Sequence, residues 1–237
     1  MFHRKALFTF AVLLAIAPFC LWAGDTASFV DLGFSPDGRT FMFAQYGVQS
    51  ETLKPWAELF VVDVPQNNFV SGGRISFLYD KPVVFGQDGS GALYQILAKN
   101  AALAERYRID HCFQGQLLYI ALDDTSSDQP PRSRNMIEFR DFDSGSYYRA
   151  NLVPLVEGSG SSLMSSFYID LERTARDGSK RVYTVGTPQV KRPLIASYSI
   201  KKVMIAPHDG SMILVIEMMK QDGGTTDIRY MVEALRL

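Results

Sequence analysis

Cysteine is nearly absent from this chain of 237 residues: there are two, Cys20 and Cys112. If Cys20 departs with an N-terminal leader, one thiol remains, and a single thiol cannot close an intramolecular disulfide. Stability must then come from packing. Histidine is as scarce, with three in the chain. Only His111 and His208 lie beyond the N-terminal segment, too few for a zinc motif and few enough to make imidazole-based hydrolysis a weak prospect. No Gly-x-Ser-x-Gly elbow and no Gly-x-x-x-x-Gly-Lys-Ser/Thr phosphate loop occurs. Charge of one sign is lacking too: 24 basic against 25 acidic residues. Such a balance does not attract nucleic acid. Beyond residue 23 no apolar run is long enough to span a bilayer.

What is present begins with an export pattern. Arg4 and Lys5 open the chain, Ala6 to Phe19 form an apolar run of 14 residues, and Leu21, Trp22 and Ala23 precede a cleavage point after Ala23. The alternatives are lipidation at Cys20, which Phe19 disfavours because lipoprotein processing wants a small residue before the cysteine, or retention of the segment as an anchor. Removing residues 1–23 takes away Arg4 and Lys5 and no acid, leaving 22 basic against 25 acidic residues. The remaining stretch, residues 24–237, is expected to be a single mainly β exported domain, periplasmic or secreted.

Strand periodicity dominates that stretch. Phe29–Phe34, Thr40–Tyr46 and Glu58–Val64 read as one three-stranded meander, and Tyr198–Ala206, Met212–Met218 and Asp227–Leu235 as a second. Each contains a Pro-x-x-Gly or Pro-Asp-Gly turn, Pro36-Asp37-Gly38 in the first and Pro207-His208-Asp209-Gly210 in the second, with Asp-Gly suited to a tight two-residue hairpin. Hairpin candidates lie between them at Leu117–Leu122, Met136–Phe142, Tyr147–Leu152, Phe167–Leu171 and Arg181–Val185. Phe167, Ile169 and Leu171 alternate with Tyr168, Asp170 and Glu172, which predicts one face on a core and one in water. A single amphipathic helix is expected near 92–106, with Leu93, Ile96, Leu97, Leu103 and Tyr107 on its apolar side and Ser90 as cap. Asp123–Arg134 and Glu157–Ser162 read as mobile polar loops.

Two resemblances follow from these residues. Phe34 to Ala44, followed by Glu58 to Asp63, resembles the WD40-like blade of TolB-type periplasmic propellers. The leader, the run Phe29 to Gln49, and the strand Tyr198 to Val203 resemble a predicted secreted bacterial family, domain of unknown function 2259. That resemblance implies export and a mostly β fold and supplies no active site. Residues 50–56 and 218–224 depart from its loop patterns, so nothing is carried over from them. A full propeller needs roughly 40–45 residues per blade, and only two units show the turn. The expected architecture is therefore antiparallel meanders with propeller-blade-like units, forming a compact sandwich or partial-propeller domain plus the helix.

Chemistry is thin. Cys112 beside His111 points to the opposite face of an extended strand. Asp123 with Asp124, Asp141 with Asp143, and Asp222 with Asp227 supply oxygen donors but fit no calcium-loop pattern and read as solvated turns. The basic run from Arg173 through Arg192 to Lys202 reads as a solvated strand face. Aromatic residues give the best binding signal: Trp56, placed by the pattern in a loop near Tyr46 and Phe60, and Tyr147 with Tyr148 beside a turn. No catalytic residue, metal site or cofactor is assigned. The expected role is a non-enzymatic interaction module contacting an envelope protein or polymer. The alternative is a carboxylate-dependent hydrolase of a carbohydrate or peptidoglycan-like substrate, which needs two facing carboxyl groups.

Overall fold

The computed structural model describes residues 24–84, 86–122, 135–206, 210–222 and 224–237. The leader with Cys20 and Ala23, the loop 123–134, and Pro207, His208 and Asp209 lie outside the described residues. Thirteen strands form three antiparallel sheets among the described residues. Sheet I is β1 (Ser28–Phe34), β2 (Thr40–Val48), β3 (Pro55–Asp63) and β4 (Asn68–Leu78) in sequential order. Sheet II orders β10 (Arg192–Pro193), β8 (Met164–Thr174), β7 (Tyr147–Glu157) and β6 (Met136–Arg140), with β9 (Lys180–Val185) also paired to β8. Sheet III orders β13 (Thr225–Leu235), β12 (Met212–Asp222), β11 (Ile195–Ile205) and β5 (Gln116–Ile120).

Strand alternation decides how the sheets stack. On β12, Met212, Leu214 and Ile216 join a core shared with sheet II, while Ile213 and Val215 join a core shared with sheet I. Sheet III is therefore the middle layer, and β12 reads as an unbroken apolar run because both faces are buried. Sheet I is two-sided as well. Phe41, Phe43, Phe60 and Val62 face sheet III, while Met42, Ala44, Leu59 and Val61 face helix α1 (Ser90–Lys99) through Ala92, Leu93 and Ile96. The result is a sandwich of stacked layers, helix on sheet I on sheet III on sheet II. In a propeller ring the outer face of sheet I would meet another blade; here the helix covers it.

Phe167, Ile169 and Leu171 are buried in the core shared by sheets II and III, and Tyr168, Asp170 and Glu172 are half-exposed, as the alternation predicts. Several expectations need correction. The helix near 92–106 is two helices, α1 and α2 (Ala101–Arg106), because Asn100 adopts φ −122° and its side-chain amide donates to the Ile96 carbonyl at 2.7 Å, ending the first. Ser90 does not cap it; its backbone N–H and hydroxyl donate to Asp88 Oδ1 at 3.0 and 2.6 Å. Strand β5 pairs with β11 rather than forming a hairpin with β6. Each meander gains a fourth strand, β4 and β5, and β4 escaped notice because its mostly exposed edge position and Gly72-Gly73 blur the alternation. The loop 157–162 is shortened by β7 reaching Glu157 and by a 3-10 turn over Gly160–Ser162.

The Pro-Asp-Gly turn is four residues long, not two. Ser35 N–H donates to Thr40 O, closing the hairpin around residues 36–39, and Gly38 N–H donates to Ser35 O at 2.9 Å. That is a type I turn with Pro36 at its second position, and Gly38 alone takes a positive φ, 70°. The Ser35 hydroxyl and the Arg39 N–H hold the exposed Asp37 carboxyl below the usual aspartate range. Sheet III repeats the closure: Ala206 N–H donates to Ser211 O, with Gly210 at φ 70°.

Candidate functional site

The edge of the middle sheet is where the layers are fastened. Strand β13 pairs with β12 along one side and on the other meets only the Thr26 bridge at Ile228, which leaves a row of backbone groups that would otherwise be open to another chain. Side-chain amides from sheet I fill it. Gln45, buried on β2, accepts the Tyr230 N–H at 2.8 Å through Oε1 and donates to Glu58 Oε2 at 2.7 Å. Asn67, in the β3–β4 turn, accepts the Ala234 N–H at 2.6 Å through Oδ1 and donates its amide to Glu233 Oε2 at 2.5 Å. The turn conformation, φ 48° at Asn67, suits asparagine, which tolerates the left-handed region.

Glu233 is 3% exposed, a carboxyl among the apolar residues that close β13. Burial pushes its pKa up, against the Asn67 hydrogen bond and the Arg192 charge, which pull it down. Its side chain lies at a cleft of 370 Å³ where all three sheets meet. Gln66 lines it from the β3–β4 turn, Asn68 and Phe69 from β4, Thr187 and Val190 from the β9–β10 connection, Arg192 from β10, and Met231 from β13. The Arg192 guanidinium is oriented by Nη1 donating to Val190 O at 3.3 Å and by packing over the Phe167 ring at 5.4 Å. Phe69 and Val190 remain 42% and 51% exposed, giving the cleft an apolar rim beside its amides. A carboxyl, a guanidinium, the side-chain amides of Gln66 and Asn68, the second of which accepts the Phe69 N–H at 2.8 Å, and an aromatic ring line one cleft, a set that supplies donors, acceptors and apolar surface together.

A second carboxyl is pushed up by burial, Asp31 on β1, opposed by the Gly33 N–H and by Lys202. It belongs to the other edge of sheet I and does not line the Glu233 cleft. A second cleft, of 420 Å³, is strongly acidic: Asp25, Glu51, Asp222 and Asp227 line it with Gln49, Ser50, Thr52 and Thr225. No group of three or more His, Cys, Asp or Glu side chains among the described residues is arranged to hold a metal ion.

Residues 42–236 match the sequence profile of a family described as predicted secreted protein (DUF2259). The chain belongs to this family. No curated protein and no solved structure matches it, and the TolB-type likeness of the first turn finds no support beyond the turn itself. The family description makes the protein a predicted secreted one, and no helix among the described residues is long and apolar enough to cross a membrane.

The aromatic residues singled out in this family member do not form one platform. Trp56 is in strand β3, not in a loop, and is 7% exposed. It lies opposite Gly47, where a Cβ would come within 3.0 Å of its ring, and the Arg229 guanidinium stacks on it at 4.3 Å. Tyr46 points the other way, into the helix-facing core, because neighbouring strand residues alternate faces. Tyr148 is 1% exposed and stacks on Phe139 at 5.2 Å. Tyr147 is on the outer face, hydrogen-bonded to Glu138, which also pairs with Arg149 at 2.8 Å. Cys112 is exposed, and His111 Nδ1 bonds Leu32 O at 2.7 Å, a structural link between the chain segment before β5 and β1. Asp141 is buried and accepts the Asp143 N–H and the Ser144 hydroxyl, as a turn-former does.

Sequence reasoning passed over Glu233, Asn67 and Phe69, and read Arg192 as part of a solvated basic strand face, whereas it lines the Glu233 cleft. One signal was available: Glu233 interrupts the apolar series Met231–Leu235 at a position whose alternation partners are apolar. A charge at such a position is either paired or functional.

Proposed function

We propose that the mature protein is a non-enzymatic binding module of the cell envelope, and that the Glu233 cleft takes a segment of an envelope glycan. The observation that carries this reading is the double engagement of Asn67. Its amide holds Glu233 while its carbonyl holds the edge of β13, so the carboxyl is a fixed acceptor built into the seam between sheets, and cycling a proton through it would disturb that seam. Arg192 and Glu233 offer the donor and acceptor pair that vicinal hydroxyls satisfy, and the exposed Phe69 ring offers an apolar face for a sugar. Calorimetric titration of the exported protein with soluble peptidoglycan glycan strands tests it. Binding is expected, weakened at least tenfold in Phe69→Ala under conditions where the variant, which also loses the ring contact with Phe60, is shown to be fully folded. Absence of binding to these and other envelope polysaccharides refutes it.

A carboxylate-dependent hydrolase remains the second reading, favoured by one observation: a buried carboxyl with a raised pKa at a cleft is what a general acid requires. Release of new reducing ends, abolished by Glu233→Gln, would replace the first reading with this one.

A further inference from the structure

The first described residues are bound to the edge of β13 more tightly than a loose terminus would be. Thr26 bridges Ile228 in parallel, Ala27 N–H donates to Ile228 O at 3.1 Å and Ile228 N–H to Asp25 O at 2.8 Å. Asp25 N–H donates to Asp227 Oδ1 at 2.9 Å, and Ser50 N–H to Asp25 Oδ1 at 2.5 Å. Arg229 binds the same segment: its Nη1 donates to Asp25 O at 3.0 Å, and its Nη2 lies 3.2 Å from Asp25 Oδ2 and 3.7 Å from Asp227 Oδ2. Gly24 approaches β13 so closely that a Cβ would fall 2.0 Å from Thr226 O and 2.7 Å from Asp227 Oδ1. Only glycine fits there.

That glycine is also the residue that follows the cleavage pattern ending at Ala23. We infer that removal of the leader after Ala23 leaves the α-ammonium of Gly24 beside the acidic cleft of Asp25, Glu51, Asp222 and Asp227, where it completes an ion-pair lock between the start of the mature chain and the middle sheet. Two independent features meet here, a sequence pattern whose expected cleavage point falls just before Gly24 and a structure that docks Gly24 against Asp227. Charge favours the same outcome. Every element packed around the position contributes: Asp25 from the segment itself, Asp227 and Arg229 from β13, Asp222 and Lys220 from β12, and Glu51 from the β2–β3 loop. The paired cations are Arg229, shared by Asp25 and Asp227, and Lys220, 3.1 Å from Asp222. Two cations against four carboxylates leave room for a third.

In the uncleaved chain the same nitrogen is an amide without charge, so the lock is made only after processing. The device ties stability to export: the precursor lacks one of the ion pairs that fasten the finished protein. An α-ammonium within about 4–6 Å of carboxylates has its pKa raised. A raised pKa on a cation adds stability that is complete below the unfolded-state value and is lost as pH rises through the folded-state value.

The test is made on the full chain expressed with its own leader and recovered after export. Intact mass is expected to give a protein beginning at Gly24. The pH dependence of α-amine labelling is expected to give a pKa at least about one unit above the ordinary 7.7–8.0, falling back in Asp227→Asn. Glu51→Gln, at an exposed loop position outside the backbone network, should lower it by a smaller amount and serves if Asp227→Asn does not fold. A form retaining Ala23 displaces the ammonium by one residue, about 3.8 Å, and should melt lower at pH 7 but not above the raised pKa. A mature protein that begins elsewhere, carries lipid on Cys20 or keeps its leader overturns the inference. So does a Gly24 amine that titrates in the ordinary range.

Discussion

Asn67→Ala is the substitution that most directly tests whether the seam between sheets I and III depends on one side chain. Three losses combine. The Glu233 carboxylate, 3% exposed, loses a charge-assisted donor, at about 1.5–3 kcal/mol. The Ala234 N–H loses its acceptor on the edge of β13, at about 1 kcal/mol. Alanine must also hold φ 48°, at roughly 1 kcal/mol. The expected destabilisation is about 4 kcal/mol by urea unfolding at pH 7. Asn67→Gly removes the conformational part and should recover about 1 kcal/mol of that loss. Asn67→Asp keeps the acceptor for Ala234 but sets a second carboxylate against Glu233; it should be the worst variant at pH 7 and recover in acid, where one of the pair protonates and donates to the other. A loss below about 1 kcal/mol in Asn67→Ala, or an Asp variant indifferent to pH, would show that packing of the sheets, not this amide, holds the seam.

Glu233→Gln tests the same carboxyl by linkage. Its folded pKa is raised above the unfolded one, so the native state binds more protons between the two values and wild-type stability falls as pH rises through that window. The variant, which does not titrate, should gain on wild type from the ordinary glutamate range upward, with a constant difference below it, measured as urea midpoints across pH 3–8 by the same assay. Trp56→Ala removes a buried ring and the surface on which Arg229 rests, expected to cost about 3–5 kcal/mol and, by freeing Arg229, to raise amide exchange at Ala27 and Ile228 first. Leu214→Ala opens a cavity in the middle sheet, expected to cost about 2–5 kcal/mol in a single cooperative transition by calorimetry; separate melting of sheet II would show that the layers do not unfold together.

The strands of both meanders were legible because their alternation and turn chemistry are local. Pro36 and Gly38 dictate a turn wherever the chain goes, and the Phe167–Leu171 series declares one wet face. Helix α1 was legible for the same reason, while its end at Asn100 depended on a side-chain bond to Ile96 that no periodicity announces. The aromatic residues misled because burial is a property of the stack. Trp56 reads as loop only until Gly47 and Arg229 close over it.

By itself, then, the sequence determined that this chain carries an export pattern, that it has no disulfide to rely on once Cys20 departs, and that it folds as short antiparallel strands broken by proline and glycine turns. Only the tertiary structure decided that two four-stranded sheets and one five-stranded sheet stack as layers instead of closing a ring, because it placed α1 over the outer face of sheet I and buried β12 on both sides. It also decided which charges matter. Glu233 and Arg192 are separated by 41 positions in the chain, and they line one cleft only because three sheets bring their edges together. Local propensity acts over a few residues; a site made from the edges of three sheets exists only once long-range pairing has set their order.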